Sequence, residues 1–188
     1  MKKIILSLLL ISISLFSASN EQQFELTTLK GEKLHLTTKP NGLDIKEVKG
    51  KVVFLAFFGY NCNPCRREIP EFIKMFNKYG EDLEIIAVEV QGTKEDSLKN
   101  LVKNKNINYS VVPFNKEARK FAYHIADKAN WKGAIPFIIV LDREGEVKFL
   151  QTGLIPYEAL ETAFNKSKIE KVKKEDKTKQ EEKVKEKK

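Results

Sequence analysis

Cysteine is scarce in this chain. Two thiols in 188 residues are too few for a fold held together by disulfides. They are also too few for a zinc site built from cysteine alone, which needs four. Histidine is equally sparse: His35 and His124 have no partner at ligand spacing, so a metal centre is not expected. Nine glycines and six prolines exclude collagen-like and low-complexity chains. No internal repeat is visible. Apart from residues 4–16, no apolar run approaches the ~20 residues of a membrane-spanning helix.

The net charge of +8 invites a nucleic-acid reading, but its distribution argues against one. Residues 166–188 hold 11 lysines against 6 acidic residues, and Lys2 and Lys3 add two more. Residues 4–165 are left with 21 basic and 20 acidic side chains. A near-neutral body with basic ends lacks the footprint of a DNA- or RNA-binding surface, so no nucleic-acid partner is expected.

Three segments follow from these patterns. Residues 1–19 combine Lys2-Lys3, an apolar stretch from Ile4 to Phe16 and the small residues Ser17-Ala18-Ser19. That is the pattern of a secretory signal peptide cleaved near residue 19, with an uncleaved membrane anchor as the alternative. Export, most simply to a bacterial periplasm, follows. Residues 20–165 have the composition of one folded domain. Residues 166–188 are mixed-charge with almost no apolar residues, which predicts a solvated, disordered tail.

Within the domain, the continuous apolar run Val52–Phe58 predicts a strand buried on both faces, Leu83–Val90 reads as a second buried strand and Pro136–Asp142 as another apolar strand. Phe24–Leu29 and Lys33–Thr37 read as two short strands, and Glu146–Thr152 as a strand antiparallel to the 136–142 run. Helices are expected from near Cys62 to Tyr79, over 94–106, over 115–126 and over 156–165, with a short strand at Val111–Phe114. The first helix should turn Ile69, Phe72, Ile73, Phe76 and Tyr79 inward. Strands alternating with helices, then a terminal hairpin, give an α/β domain: a central mixed sheet with helices on both faces.

The chemistry is concentrated in Phe58-Gly59-Tyr60-Asn61-Cys62-Asn63-Pro64-Cys65-Arg66-Arg67-Glu68. A C-x-x-C pair that follows a buried strand and opens a helix is suited to dithiol–disulfide exchange. Cys62 at the helix N-terminus faces unpaired backbone N–H groups and the positive end of the helix dipole, both of which favour a thiolate. Cys65, one turn on, is close enough to close an intramolecular disulfide. A structural disulfide is the competing reading, though so short a loop removes little unfolded-state entropy. Haem attachment would need histidine directly after Cys65, where Arg66 stands. Arg66 and Arg67 read as solvated surface residues. Phe58 reads as core, and Tyr60 and Trp131 as either packing or substrate contacts.

This stretch, with Lys49-Gly50-Lys51-Val52-Val53 before it and Gly133-Ala134-Ile135-Pro136-Phe137 and Asp142…Gly145 after it, resembles the thioredoxin-like superfamily. It is most similar to the exported thiol–disulfide oxidoreductases of the TlpA/ResA/DsbE group, over roughly residues 24–165. The resemblance implies a thioredoxin-like three-layer fold and a redox-active Cys62/Cys65 pair with no separate cofactor. It assigns Pro136 as a cis-proline that exposes Ile135 to a substrate chain, Glu68 as an acid near the disulfide that raises the thiol pKa values and can shuttle a proton to or from Cys65, with an exposed surface charge as the alternative, and Pro70 as a helix-kink residue. It implies a periplasmic protein-disulfide reductase, typically acting in cytochrome c maturation. Its partners would be protein disulfides and a membrane thiol electron donor. Nothing in the sequence points to more than a monomer. An oxidase or isomerase of secreted proteins, and a non-catalytic binding or chaperone module, remain as alternatives. Two departures stand out: Asn61 occupies the position where the group commonly has tryptophan, and Phe58-Gly59 replaces Trp-Ala.

Overall fold

The computed structural model describes residues 21–168; the expected signal peptide and most of the charged tail lie outside them. The described residues form eight strands and four α-helices. β1 (Gln23–Thr27), β2 (Lys33–Lys39) and β3 (Gly42–Ile45) form a small antiparallel sheet. A single 3-10 turn at Lys46–Val48 leads on to β4 (Val52–Phe58), α1 (Asn63–Tyr79), β5 (Leu83–Glu89) and α2 (Glu95–Lys105). The order continues with β6 (Ser110–Val112), α3 (Lys116–Lys128), β7 (Phe137–Leu141), β8 (Val147–Thr152) and α4 (Tyr157–Lys168).

The main sheet has the order β6-β5-β4-β7-β8, with β4, β5 and β6 parallel and β7 and β8 antiparallel to their neighbours. The apolar runs are continuous because this sheet is covered on both sides. Along β4, Val53, Leu55 and Phe57 face one layer and Val52, Phe54 and Ala56 the other, the alternation a strand imposes. The first layer consists of α3, through Ala118, Phe121 and Ile125, together with Leu26, Leu34, Leu36 and Leu43 of the small sheet. The second consists of α1, α2 and α4, through Ile69, Phe72, Leu98, Leu160 and Phe164.

The expected mixed sheet with helices on both faces is therefore present, with several corrections. β3 was not anticipated: Gly42-Leu43-Asp44-Ile45 is short, yet it alternates and pairs with β2. β2 is two residues longer than expected, and the hairpin pairs Leu26 with Leu34. β6 is Ser110–Val112 rather than 111–114, and α3 runs two residues past 126. On α1, Met75 is fully buried while Ile73, Phe76 and Tyr79 are half-buried, because the helix presents its 65-68-69-72-75 stripe to the sheet. α4 continues to Lys168, three residues into the tract expected to be disordered. Ser167 is buried there, its hydroxyl donating to the Ala163 carbonyl at 2.8 Å, and the Lys168 ammonium pairs with Asp82. No helix among the described residues is long and apolar enough to cross a membrane.

Candidate functional site: a disulfide at the head of helix α1

The central strand β4 ends at Phe58, at the C-terminal end of the parallel strands, and residues 59–62 lead the chain into α1. Cys62 is the N-cap residue, in extended conformation (φ −102°, ψ 104°), and Pro64 stands in the first turn, where its missing N–H costs no hydrogen bond. Cys62 and Cys65 form a disulfide with an S–S distance of 2.04 Å. The Cys65 backbone N–H donates to the Cys62 sulfur at 3.2 Å, so the cap is made by a sulfur atom. Both cysteines are buried, Cys62 at 7% exposure and Cys65 at 3%.

Pro136 lies at the same end of the sheet. Phe57 of β4 pairs with Phe137 of β7, so the residue before Phe137 is level with the C-terminal end of β4. The Ile135–Pro136 peptide bond is cis. Ile135 is half-buried and packs against the α3-side core. Trp131 braces this segment. Its ring stacks on Phe137 (centroids 4.9 Å apart, planes 13° apart) and lies 5.0 Å from Phe57, and its Nε1–H donates to the Ala134 carbonyl at 2.7 Å.

Glu68 is buried at 4% exposure, on the same stripe of α1 as Cys65. Burial pushes its pKa up from 4.5 to about 7, against the opposing pull of the Ile155 backbone N–H, which donates to the carboxylate at 2.9 Å. The segment preceding α4 thus closes over Glu68. Further along, Lys78, Tyr79 and Tyr157 all donate to Glu161 Oε1, tying α1 to α4. Pro70 lies within α1 and is exposed.

Two functional residues escaped the sequence reading. Glu89, the last residue of β5, is fully buried and faces a run of donors. The Gln91, Gly92 and Thr93 backbone N–H groups and the Thr93 hydroxyl donate to it at 2.9–3.1 Å, and the Tyr60 N–H donates at 3.4 Å. Gln91, held in that turn, accepts the Asn61 N–H through its side-chain oxygen at 2.9 Å. The cysteine loop is thus moored from β5 through polar contacts at Tyr60 and Asn61. The same arrangement explains Gly59: a Cβ there would lie 2.2 Å from Gln91 Cδ. A sequence signal did exist, a carboxylate ending a largely buried strand and followed by Gln-Gly-Thr, but the contacts that reach the cysteine loop, to the Tyr60 and Asn61 N–H groups, span about 30 residues. Arg66 also departs from expectation. It is half-buried, its Nε–H donates to the Tyr60 carbonyl at 2.9 Å, and its guanidinium sits 4.9 Å from the centre of the Tyr60 ring.

The two histidines contact neither sulfur. The His35 ring pairs with Glu47 at 2.6 Å and Glu25 at 3.4 Å, and the His124 ring packs on Phe24.

A sequence model described as the AhpC/TSA family matches residues 19–150. The thiol–disulfide oxidoreductase ResA of Geobacillus kaustophilus is 31% identical over 146 residues, covering 76% of this chain and 73% of that protein. ResA of Bacillus cereus is 32% identical over 125 residues, covering 66% of this chain and 62% of that protein, slightly under two thirds of its length. A solved thioredoxin-family thiol:disulfide interchange protein from Chlorobium tepidum superposes with a TM-score of 0.62 at 22% identity, covering 77% of this chain and 92% of the other, a likeness of fold. The chain belongs to the AhpC/TSA family of thioredoxin-like proteins, with ResA-type thiol–disulfide oxidoreductases among its relatives.

Proposed function

We propose that this chain is an exported thiol–disulfide oxidoreductase that reduces disulfides in other proteins. The observation that carries the reading is the Cys62 sulfur held as the N-cap of α1, with the Cys65 N–H aimed at it. In the reduced protein the same N–H and the helix dipole favour the Cys62 thiolate over the thiol. That thiolate attacks one sulfur of a substrate disulfide, forming a mixed disulfide and expelling the other substrate sulfur as thiolate. Cys65, deprotonated, then attacks the Cys62 sulfur and releases the second substrate thiolate. The substrate gains two electrons and, on protonation, two thiols, while Cys62–Cys65 is oxidised.

Glu68 is suited to handle the Cys65 proton. It is one helical turn away on the same buried stripe, and a pKa of about 7 lets it accept or donate near neutral pH. Ile135, before the cis-proline, offers its backbone to an extended substrate chain as an added strand. The likeness to the TlpA/ResA/DsbE group supports the rest of the reading. The protein works as a monomer in the periplasm, on apocytochrome c cysteines awaiting haem, and a membrane thiol donor restores its dithiol.

The test is insulin reduction by the mature chain beside its Cys62→Ser and Cys65→Ser variants. The mature chain should accelerate turbidity from released B chain, and both variants should lose that acceleration. Equal activity in all three proteins would refute the reading.

A further inference from the structure

A cavity of about 400 Å³ opens between α3 and the segment leading to the cis-proline. Val90, Phe114, Ala122 and Trp131 give it apolar walls, and Arg119 and Lys132 are its charged residues. No lining residue is acidic, and neither cation is paired with a carboxylate among the described residues. Tyr123, also in the lining, is 70% exposed, unusual for so large a ring.

The cavity lies at the disulfide end of the sheet. The Val90 N–H donates to the Phe58 carbonyl at 2.9 Å, where β4 gives way to the cysteine loop. Trp131 touches Phe57 on that strand, and Gly133 is three residues before Pro136. The volume falls within the range of sites that enclose a side chain or small ligand. Unpaired cations beside an apolar cavity attract carboxylates and repel cations, which sets register and partner choice.

We propose that this cavity selects the protein substrate: it takes a large apolar side chain, preferably aromatic, from the polypeptide whose disulfide is reduced, and Arg119 and Lys132 pair with acidic residues flanking that side chain. The proposal rests on the reductase reading and adds the substrate class. A substrate strand laid along Ile135 presents alternate side chains to the protein, so an apolar residue a few positions from the reacting cysteine reaches the cavity while its acidic neighbours meet the two cations.

The test uses pre-reduced mature chain and ten-residue peptides with one cysteine carried as a mixed disulfide with 2-nitro-5-thiobenzoate. Attack of the Cys62 thiolate on the peptide sulfur breaks that disulfide and expels the coloured thiolate. Cys65 then displaces the peptide thiolate, leaving Cys62–Cys65 oxidised. One series moves a Glu-Phe-Glu triplet one to five positions to either side of the cysteine. Matched series carry Lys-Phe-Lys or Glu-Ala-Glu.

At the best position Glu-Phe-Glu should exceed both matched peptides in kcat/KM by roughly tenfold, the discrimination an apolar pocket provides, with most of the difference in KM. In R119E/K132E the charge preference should reverse, while the rate with 2-hydroxyethyl disulfide, a small uncharged substrate that does not need the cavity, stays at the parent value. Equal rates for the three series, or an unchanged preference in the double variant, would overturn the proposal and leave the reductase reading standing. Failure of the parent chain to reduce insulin as well would overturn both.

Discussion

Glu68→Gln removes a titrating group from the interior while keeping its shape and an oxygen to accept the Ile155 N–H. In the unfolded chain the Glu68 carboxyl ionises near 4.5, whereas in the folded protein burial holds it protonated until about pH 7. A folded-state pKa above the unfolded one means that the unfolded state releases its proton first as pH rises, and stability falls across that interval. Below pH 4.5 the carboxyl is neutral in both states and costs nothing through ionisation. Above about pH 7 the full penalty applies, and at 1.36 kcal/mol per pKa unit it is about 3 kcal/mol. Other titrating groups contribute equally to both proteins and cancel in the difference. Urea unfolding of the oxidised parent and Glu68→Gln from pH 4 to pH 8.5 should therefore give stability curves that diverge. The variant should gain about 3 kcal/mol relative to the parent between the ends of the range, most of it between pH 4.5 and 7. Parallel curves would refute the burial-driven shift, and with it the proton-handling role of Glu68.

Three further outcomes follow from the mooring of the site. Gln91→Ala removes the acceptor for the Asn61 N–H at an exposed position; the Asn61 amide should exchange hydrogen faster and insulin reduction should slow roughly 3–10-fold, the worth of one hydrogen bond. An unchanged exchange rate would dissociate Gln91 from the cysteine loop. Gly59→Ala should displace the Gln91 side chain and reproduce both effects, because its Cβ would overlap that side chain. Trp131→Phe should cost about 1 kcal/mol for the lost bond to the Ala134 carbonyl, and Trp131→Ala about 3–5 kcal/mol for the lost packing. Equal urea midpoints for the two variants would contradict the stacking account.

The frame of this fold was legible because its strongest physical signals are local. β4 and β7 are unbroken apolar runs and β5 nearly so, and a C-x-x-C with proline between the cysteines directly after such a strand suits the head of a helix. β3 was not legible: four residues that include Asp44 carry too little alternation to stand out from a turn. Glu68 illustrates a different limit. Its helical position is fixed by its distance from Cys65, but its burial depends on the 153–155 segment, nearly 90 residues later, folding across it. Glu89 and Gln91 show the same dependence on a distant loop. They also give physical sense to the two departures from the family pattern: a chain with Gly59 and Asn61 where relatives of this group commonly carry Ala and Trp holds its cysteine loop through backbone N–H groups instead. Trp131 proved to be both packing and cavity wall, a combination that sequence alone presents as alternatives.

In this reading Cys62 and Cys65 serve as a reductant for other proteins. The most direct measurement is the reduction potential of the Cys62/Cys65 couple in the mature chain, equilibrated against defined dithiothreitol and glutathione buffers. A value near or below the roughly −270 mV of thioredoxin is expected. A value near the roughly −120 mV of DsbA would make the protein an oxidant and contradict the reading.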